Sequence, residues 1–160
     1  MTLRLGLYLG AFAAVATGLF LWRLWQPEQQ IRKHSAHLLA AIEHKDWTKF
    51  ETFIDIDYHD QWGNDHQAVS ARTREFFRYL RGVRISAIGP SVRVESDLGL
   101  WQGYIVIEGN DDNELTAVLK ARVNAIRTPF EFQWRRVSAK PWDWKLVAVR
   151  NPELVLPPEY

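Results

Sequence analysis

The chain has 160 residues, 47% hydrophobic and 13% aromatic, which suits one domain with a real core plus an appendage and excludes general disorder. A formal net charge of +1, from 20 basic and 19 acidic residues, leaves no overall basic field to point to nucleic acid. With no cysteine, disulfides, zinc–thiolate sites and thiol nucleophiles are excluded.

Residues 3–22, LRLGLYLGAFAAVATGLFLW, carry one charge, Arg4, and have the length a helix needs to cross a hydrocarbon core. Trp22, Arg23 and Trp25 form an interfacial collar at the far end. A signal peptide cut near Ala14, Val15 and Ala16 would leave GLFLWRLW as an apolar N-terminus, so retention as a single-pass anchor is expected. Gly6, Gly10, Ala14 and Gly18 recur every four residues, a stripe of small side chains on which two such helices can pack into a homodimer. Arg4 with the terminal amine balances Arg23, Arg32 and Lys33 too evenly to fix orientation; the soluble domain is expected on the extracytoplasmic side.

A second helix begins at Pro27, which suits the first turn, with Glu28 favoured by the helix dipole. Ile31, Leu38 and Ile42, with Ser35 and Leu39, form its apolar stripe, which lasts to His44 or Lys45. His34, His37 and His44 fall off that stripe and read as a solvated face, so no metal is expected there. Asp46 caps a short helix whose Trp47, Phe50, Phe53 and Ile54 point inward.

From Asp55 a polar, aromatic-rich turn runs into a further helix. Asn64 and Gln67 have capping-box spacing, and Asp65 places a negative charge in the first turn. Val69, Thr73, Phe76, Phe77 and Leu80 share one apolar face. Arg74, Arg78 and Arg81, with Arg72 and Arg84 close by, form a basic stripe that reads as a solvated face, with Glu75 pairing Arg78 or Arg72.

Everything after that reads as strand, with period-two alternation at Val83, Ile85 and Ala87, at Val92 and Val94, at Ile105 and Ile107, and at Ala117, Leu119, Ala121 and Val123. Gly89-Pro90 marks a bulge, and Asn110 to Asn113 is expected to close a hairpin. Pro129 sits inside the next run and should bend it or place it at an edge. Phe130, Phe132 and Trp134 share a face there, Trp142, Trp144, Leu146 and Ala148 share one on the last strand, and Lys140-Pro141 turns between them. Those aromatics are expected to cover the Val69 to Leu80 helix.

This order resembles the NTF2-like (SnoaL-like, cystatin-type α+β cone) superfamily over residues 30–151. The marks are Asp57-Tyr58-His59-Asp60 with Gly63 before the third helix, and Pro129-Phe130-Glu131-Phe132 leading to Trp144-Lys145-Leu146-Val147. The resemblance implies three helices packed in a strongly curved antiparallel sheet, here behind one transmembrane helix. The domains are then an anchor at 1–26, an NTF2-like domain at 27–151 and a Pro-rich tail at 152–160. Similar proteins enclose a pocket, expected here from Tyr58, Trp62, Phe76, Phe132, Trp134 and Trp144. They include isomerases, dehydratases, polyketide cyclases and modules without chemistry, so fold alone does not name an activity.

A general acid or base would come from His59, Asp60 or Tyr58, with Asp57 or Asp65 orienting His59 or His66. Asp60 and Asp65 equally suit turn and cap positions, with Tyr58 as wall. Glu108 and Glu131 are the nearest strand carboxylates, and no G-x-S-x-G, Walker A or G-x-G-x-x-G pattern occurs. The expected function is a membrane-anchored binding or scaffold module without catalysis, its cone holding an apolar ligand or a partner segment. The alternatives are a small-molecule lyase, isomerase or hydrolase using His59 and Asp60, and a scaffold similar to the VirB8-type secretion proteins. No cofactor and no nucleic acid are expected; the expected partners are the lipid bilayer, a second copy, and a small apolar ligand or protein.

Overall fold

The structure, a computed structural model, describes residues 25–155 together with Phe12, Val15, Thr17 and Gly18. The remainder of the expected span over 3–22, including Gly6, Gly10 and Ala14, lies outside the described residues, as do Arg4, Trp22, Arg23 and residues 156–160. Among the described residues no helix is long and apolar enough to cross a membrane.

Three helices, α1 (Pro27–Glu43), α2 (Trp47–Phe53) and α3 (His66–Arg78), precede the first strand. They are followed by β1 (Leu80–Glu95), β2 (Leu98–Asp111), α4 (Glu114–Ala125), β3 (Phe130–Arg136) and β4 (Trp144–Arg150). The four strands form one antiparallel sheet in the order β1-β2-β3-β4. Bulges between Arg81 and Arg84 and between Ile88 and Ser91 bend β1, the second at the expected Gly89-Pro90, where Gly89 has φ +61°.

Helix α1 starts with Pro27 in its first turn, and its buried stripe contains Ile31, Ser35, Leu38 and Leu39 as expected. Its docking on the sheet is close: a Cβ on Gly99 of β2 would lie 1.9 Å from Ile31 Cδ1 and 3.6 Å from the Trp144 ring. Only a residue without a side chain lets the fully buried Ile31 seat there. Asp46 caps α2, accepting from Lys49 N at 3.1 Å.

Helix α3 begins one residue later than the capping-box spacing implies. Asp65 is the cap, accepting from Ala68 N at 2.8 Å, because Asn64 is turned away to bond Asp60. Leu80 belongs to β1, not to the helix, and Arg74, Arg78 and Arg81 pair with Glu51, Glu75 and Asp112.

The largest departure from expectation is α4. Ala117 to Val123 is helix rather than strand, and Asn110 to Asn113 is the passage from β2 into it. Asn113 caps it, accepting from Thr116 N at 2.7 Å, and Glu114 lies in its first turn. Thr116, Leu119 and Val123 turn inward at helical spacing, while Leu115 and Val118 are exposed. Strand β3 pairs with β2 only over Leu98 to Gly103, and α4 takes the edge beyond. Asn124 accepts from Ile107 N and donates to Ile107 O, both at 2.8 Å, as a neighbouring strand would. Lys120 reaches Gly109 O and Asp111, each at 2.6 Å.

Five further expectations are corrected. Pro129 precedes β3 and does not interrupt it, and Trp142 sits in the β3–β4 turn, 52% exposed, off the face of Trp144, Leu146 and Ala148. On β3 it is Trp134 that covers α1 and α2 rather than α3. Trp134 has no exposed surface and meets His34 and Phe53 edge-on, with ring centroids 5.7 and 6.5 Å away. His34 is therefore half-buried, its Nδ1 2.8 Å from Gln30 O, and burial lowers its pKa. The ordered chain also runs past residue 151: Asn151 is fully buried and Leu154 packs in the core.

Three substitutions probe this frame. Gly99→Ala should cost about 1–3 kcal/mol by overpacking. Ile31→Val, which removes Cδ1, should cost about 0.5–1.5 kcal/mol alone. Together they should cost clearly less than the sum, and strict additivity in denaturant unfolding would show that the contact does not limit α1 docking. Asn124→Ala leaves both polar groups of Ile107 without their partner and should lower stability by about 2–3 kcal/mol. A loss under about 0.5 kcal/mol would mean that α4 does not stand in for a strand.

Candidate functional site

The interior splits into two unlike ends. Where the first half of α1 meets the sheet, Ile31, Trp134 and Trp144 are packed with almost no exposed surface. Toward the second half of α1 the helices and sheet part around a cavity of about 250 Å³. Its walls come from Leu38, Leu39 and Ile42 of α1, Val69, Thr73, Phe76 and Phe77 of α3, and Leu119 and Val123 of α4. Strand residues Ile85, Ile105, Ile107, Phe130 and Phe132 close the other side. The surface is almost wholly apolar.

Of the residues expected to form a pocket, Tyr58, Trp62, Phe76 and Phe132 line this cavity. Trp134 and Trp144 do not. They share the inward direction of Phe132, but they lie toward the filled end, where Trp134 pairs with Gly99 and Trp144 with Arg136.

Polar groups enter the cavity wall mainly from the loop before α3, organised by Asp60. Its Oδ1 accepts from Trp62 N and Asn64 N, both at 2.9 Å. Its Oδ2 accepts from Tyr58 Oη at 3.1 Å and Asn64 Nδ2 at 2.8 Å. Four donors thus converge on one buried carboxylate, which fixes the Gly63 turn and seats the tyrosine. Burial pushes the Tyr58 phenol well above its ordinary value, and the adjacent Asp60 charge and hydrogen bond push it further. Trp62 in turn donates Nε1 to Leu154 O at 2.8 Å, tying the chain's last described turn over the cavity.

The other proposed participants stand elsewhere. His59 is exposed, holds β4 through its backbone N–H to Val147 O at 3.0 Å, and does not line the cavity. Asp57 binds Arg135 at 3.0 Å, and Asp65 caps α3, so neither orients His59. His66 Nδ1 lies 3.0 Å from Asp55 O. Glu108 is exposed and Glu131 accepts from Gln102 at 2.8 Å; neither lines the cavity.

Arg72 was not expected in the wall. It is exposed and also lines the cavity, which places it at the mouth, and it makes no hydrogen bond or ion pair with any described residue. Helical spacing from Val69 carries the signal: 69, 72, 73, 76 and 77 lie on one face of α3. Leu119 and Val123 were missed as cavity residues of a helix because their stretch reads as strand.

If Asp60 is a structural hub, Asp60→Asn should destabilise by about 2–3 kcal/mol and Tyr58→Phe by about 1–1.5 kcal/mol. The Tyr58 phenol stays protonated in the fold above its ordinary 10.0, while the unfolded chain releases that proton. The folded state then binds more protons, so stability is full below pH 10 and falls as pH rises above it. Tyr58→Phe should flatten that alkaline slope, and an unchanged slope in urea unfolding between pH 9 and 11 would refute the assignment.

Neither a protein-family model nor any curated protein matches the chain. Solved structures do. Bdellovibrio bacteriovorus Bd1075 aligns with TM-score 0.58 and 12% identity over 76% of this chain, which spans only 40% of that protein. A protein of unknown function with a cystatin-like fold from Nostoc punctiforme aligns with TM-score 0.55 and 13% identity, over 78% of this chain and 91% of that one. An NTF2-like protein of unknown function in nutrient uptake from Rhodospirillum rubrum aligns with TM-score 0.50 and 25% identity, over 74% and 93%. The likeness is one of architecture: the chain has the NTF2-like, cystatin-like α+β fold.

Proposed function

We propose that the chain is a bilayer-tethered binding module that holds an apolar molecule in its cone and performs no chemistry on it. The observation that carries the reading is the cavity itself, almost wholly apolar, with Asp60, the one carboxylate among its described lining residues, held by four donors. Apolar walls supply affinity by burial, and a few fixed polar groups leave no free acid or base for proton transfer. The tether would be residues 3–22, whose single charge and length support a membrane span, with Gly6, Gly10, Ala14 and Gly18 as the face on which two copies meet. The soluble domain would then stand at an extracytoplasmic surface.

The core contacts lie within residues 31–154, so a fragment of residues 25–160 should fold and can be titrated with the neutral fluorophore N-phenyl-1-naphthylamine. Saturable one-to-one binding is expected. Val123→Phe, which fills the cavity, should weaken it at least tenfold, whereas Leu115→Phe on the exposed face of α4 should not. Equal binding by both variants and the parent would sink the cavity as the binding site. Separately, release of the full chain from membranes by alkaline carbonate would overturn the tether.

A further inference from the structure

We infer that the cavity takes a single-chain amphiphile with an anionic head, its tail among the apolar walls and its head on Arg72. This rests on the binding reading above and adds what that reading leaves open, the chemical class of the ligand. Three observations converge on it.

The first is volume. About 250 Å³ lies below the roughly 300–1,000 Å³ of sites that enclose drug-sized molecules, which leaves room for one flexible chain and not two. The second is the wall. Leu39, Ile42, Phe76, Ile105 and Ile107 offer contact and no hydrogen bonds, which suits methylenes. The inner polar group suits an anionic head poorly: Tyr58 already donates to Asp60, Asp60 accepts from four donors, and the unpartnered Asn64 Oδ1 is an acceptor.

The third is charge. Of the other cations of the stripe, Arg74 pairs with Glu51, Arg78 with Glu75 and Arg81 with Asp112, while Arg84 on β1 does not line the cavity. Arg72 alone of this group stands at the mouth without a partner among the described residues. It follows the Asp65 cap by seven residues, about 10 Å along the helix axis. A planar guanidinium with free donors binds a carboxylate or phosphate in bidentate fashion, and the cavity's low polarity is confined to the tail behind it.

The test uses the full chain in nanodiscs of uncharged lipid and a photoactivatable dodecanoate with its diazirine at the tail end. Cross-links should map to cavity residues of α3 and β2. Unlabelled saturated carboxylates of increasing length should compete about fourfold better per added methylene until the cavity is full. Dodecanol should compete at least fivefold more weakly than dodecanoate, and Arg72→Gln, an exposed change that leaves the circular dichroism spectrum intact, should abolish that difference. Equal competition by acid and alcohol in the parent would overturn the anionic head while leaving the cavity reading standing. Strong competition by two-chain phosphatidate would overturn the single chain. Cross-links absent from the cavity with dodecanoate and with a dodecanol probe alike would remove both this inference and the binding reading beneath it.

Discussion

The cavity depends on what happens to the free edge of β2. A strand that loses its neighbour must satisfy its N–H and C=O groups some other way, and a second strand there would bring a flat aromatic face against α3 and close the interior. Asn124 resolves this from a helix. One side-chain amide takes both polar groups of Ile107, and Lys120 takes the Gly109 carbonyl and the Asp111 carboxylate. The edge is paired, yet its partner is a helix whose Leu119 and Val123 stand back from the sheet and enclose space. Curvature from the β1 bulges acts in the same direction.

Stability and emptiness are thereby separated along the sheet. At one end Gly99 lets Ile31 approach, and Trp134 and Trp144 close over α1 and α2, giving the dense packing a domain of this size needs. At the other end β3 and β4 supply Phe130, Phe132 and Leu146, whose inner faces meet a cavity rather than a helix. A fold that concentrates its tightest contacts away from the cavity tolerates unfilled apolar surface, which costs stability wherever it occurs.

Much of this is legible in the sequence. The α1 stripe, the Asp46 cap, the Gly89-Pro90 bulge and the alternation of Phe130, Phe132 and Trp134 are local patterns with local causes, and they appear where the spacing put them. α4 was not legible from hydrophobic period alone. In ELTAVLKARVNA the residues 117, 119, 121 and 123 satisfy a strand while 116, 119 and 123 satisfy a helix, so the two periods conflict. The deciding signal was the Asn113-Glu114 start, which resembles a turn in a run of polar residues. The trade of Asn64 for Asp65 as cap has a similar origin: a one-residue choice settled by a tertiary partner, Asp60. Which inward aromatics line a cavity and which fill a core is a long-range matter that strand alternation does not encode.

The same loop explains why a carboxylate in an apolar pocket is not by itself a catalyst. To act as a base Asp60 must present a free lone pair to a substrate proton, and that means surrendering donors that hold the Gly63 turn. Hydrogen bonds to a charged group contribute roughly 1.5–3 kcal/mol each, so releasing one costs about that much. General acid–base catalysis typically returns 10²–10⁴-fold, about 2.7–5.5 kcal/mol. That cost offsets a large part of the gain, which supports the proposed reading of Asp60 as a structural group. What the four donors do secure is the placement of Tyr58 and Trp62 as rigid walls, with Trp62 clasping Leu154. Rigid apolar walls lower the entropy lost when a ligand is seated, so on the proposed reading the bonds that hold Asp60 in place also suit the cavity to binding.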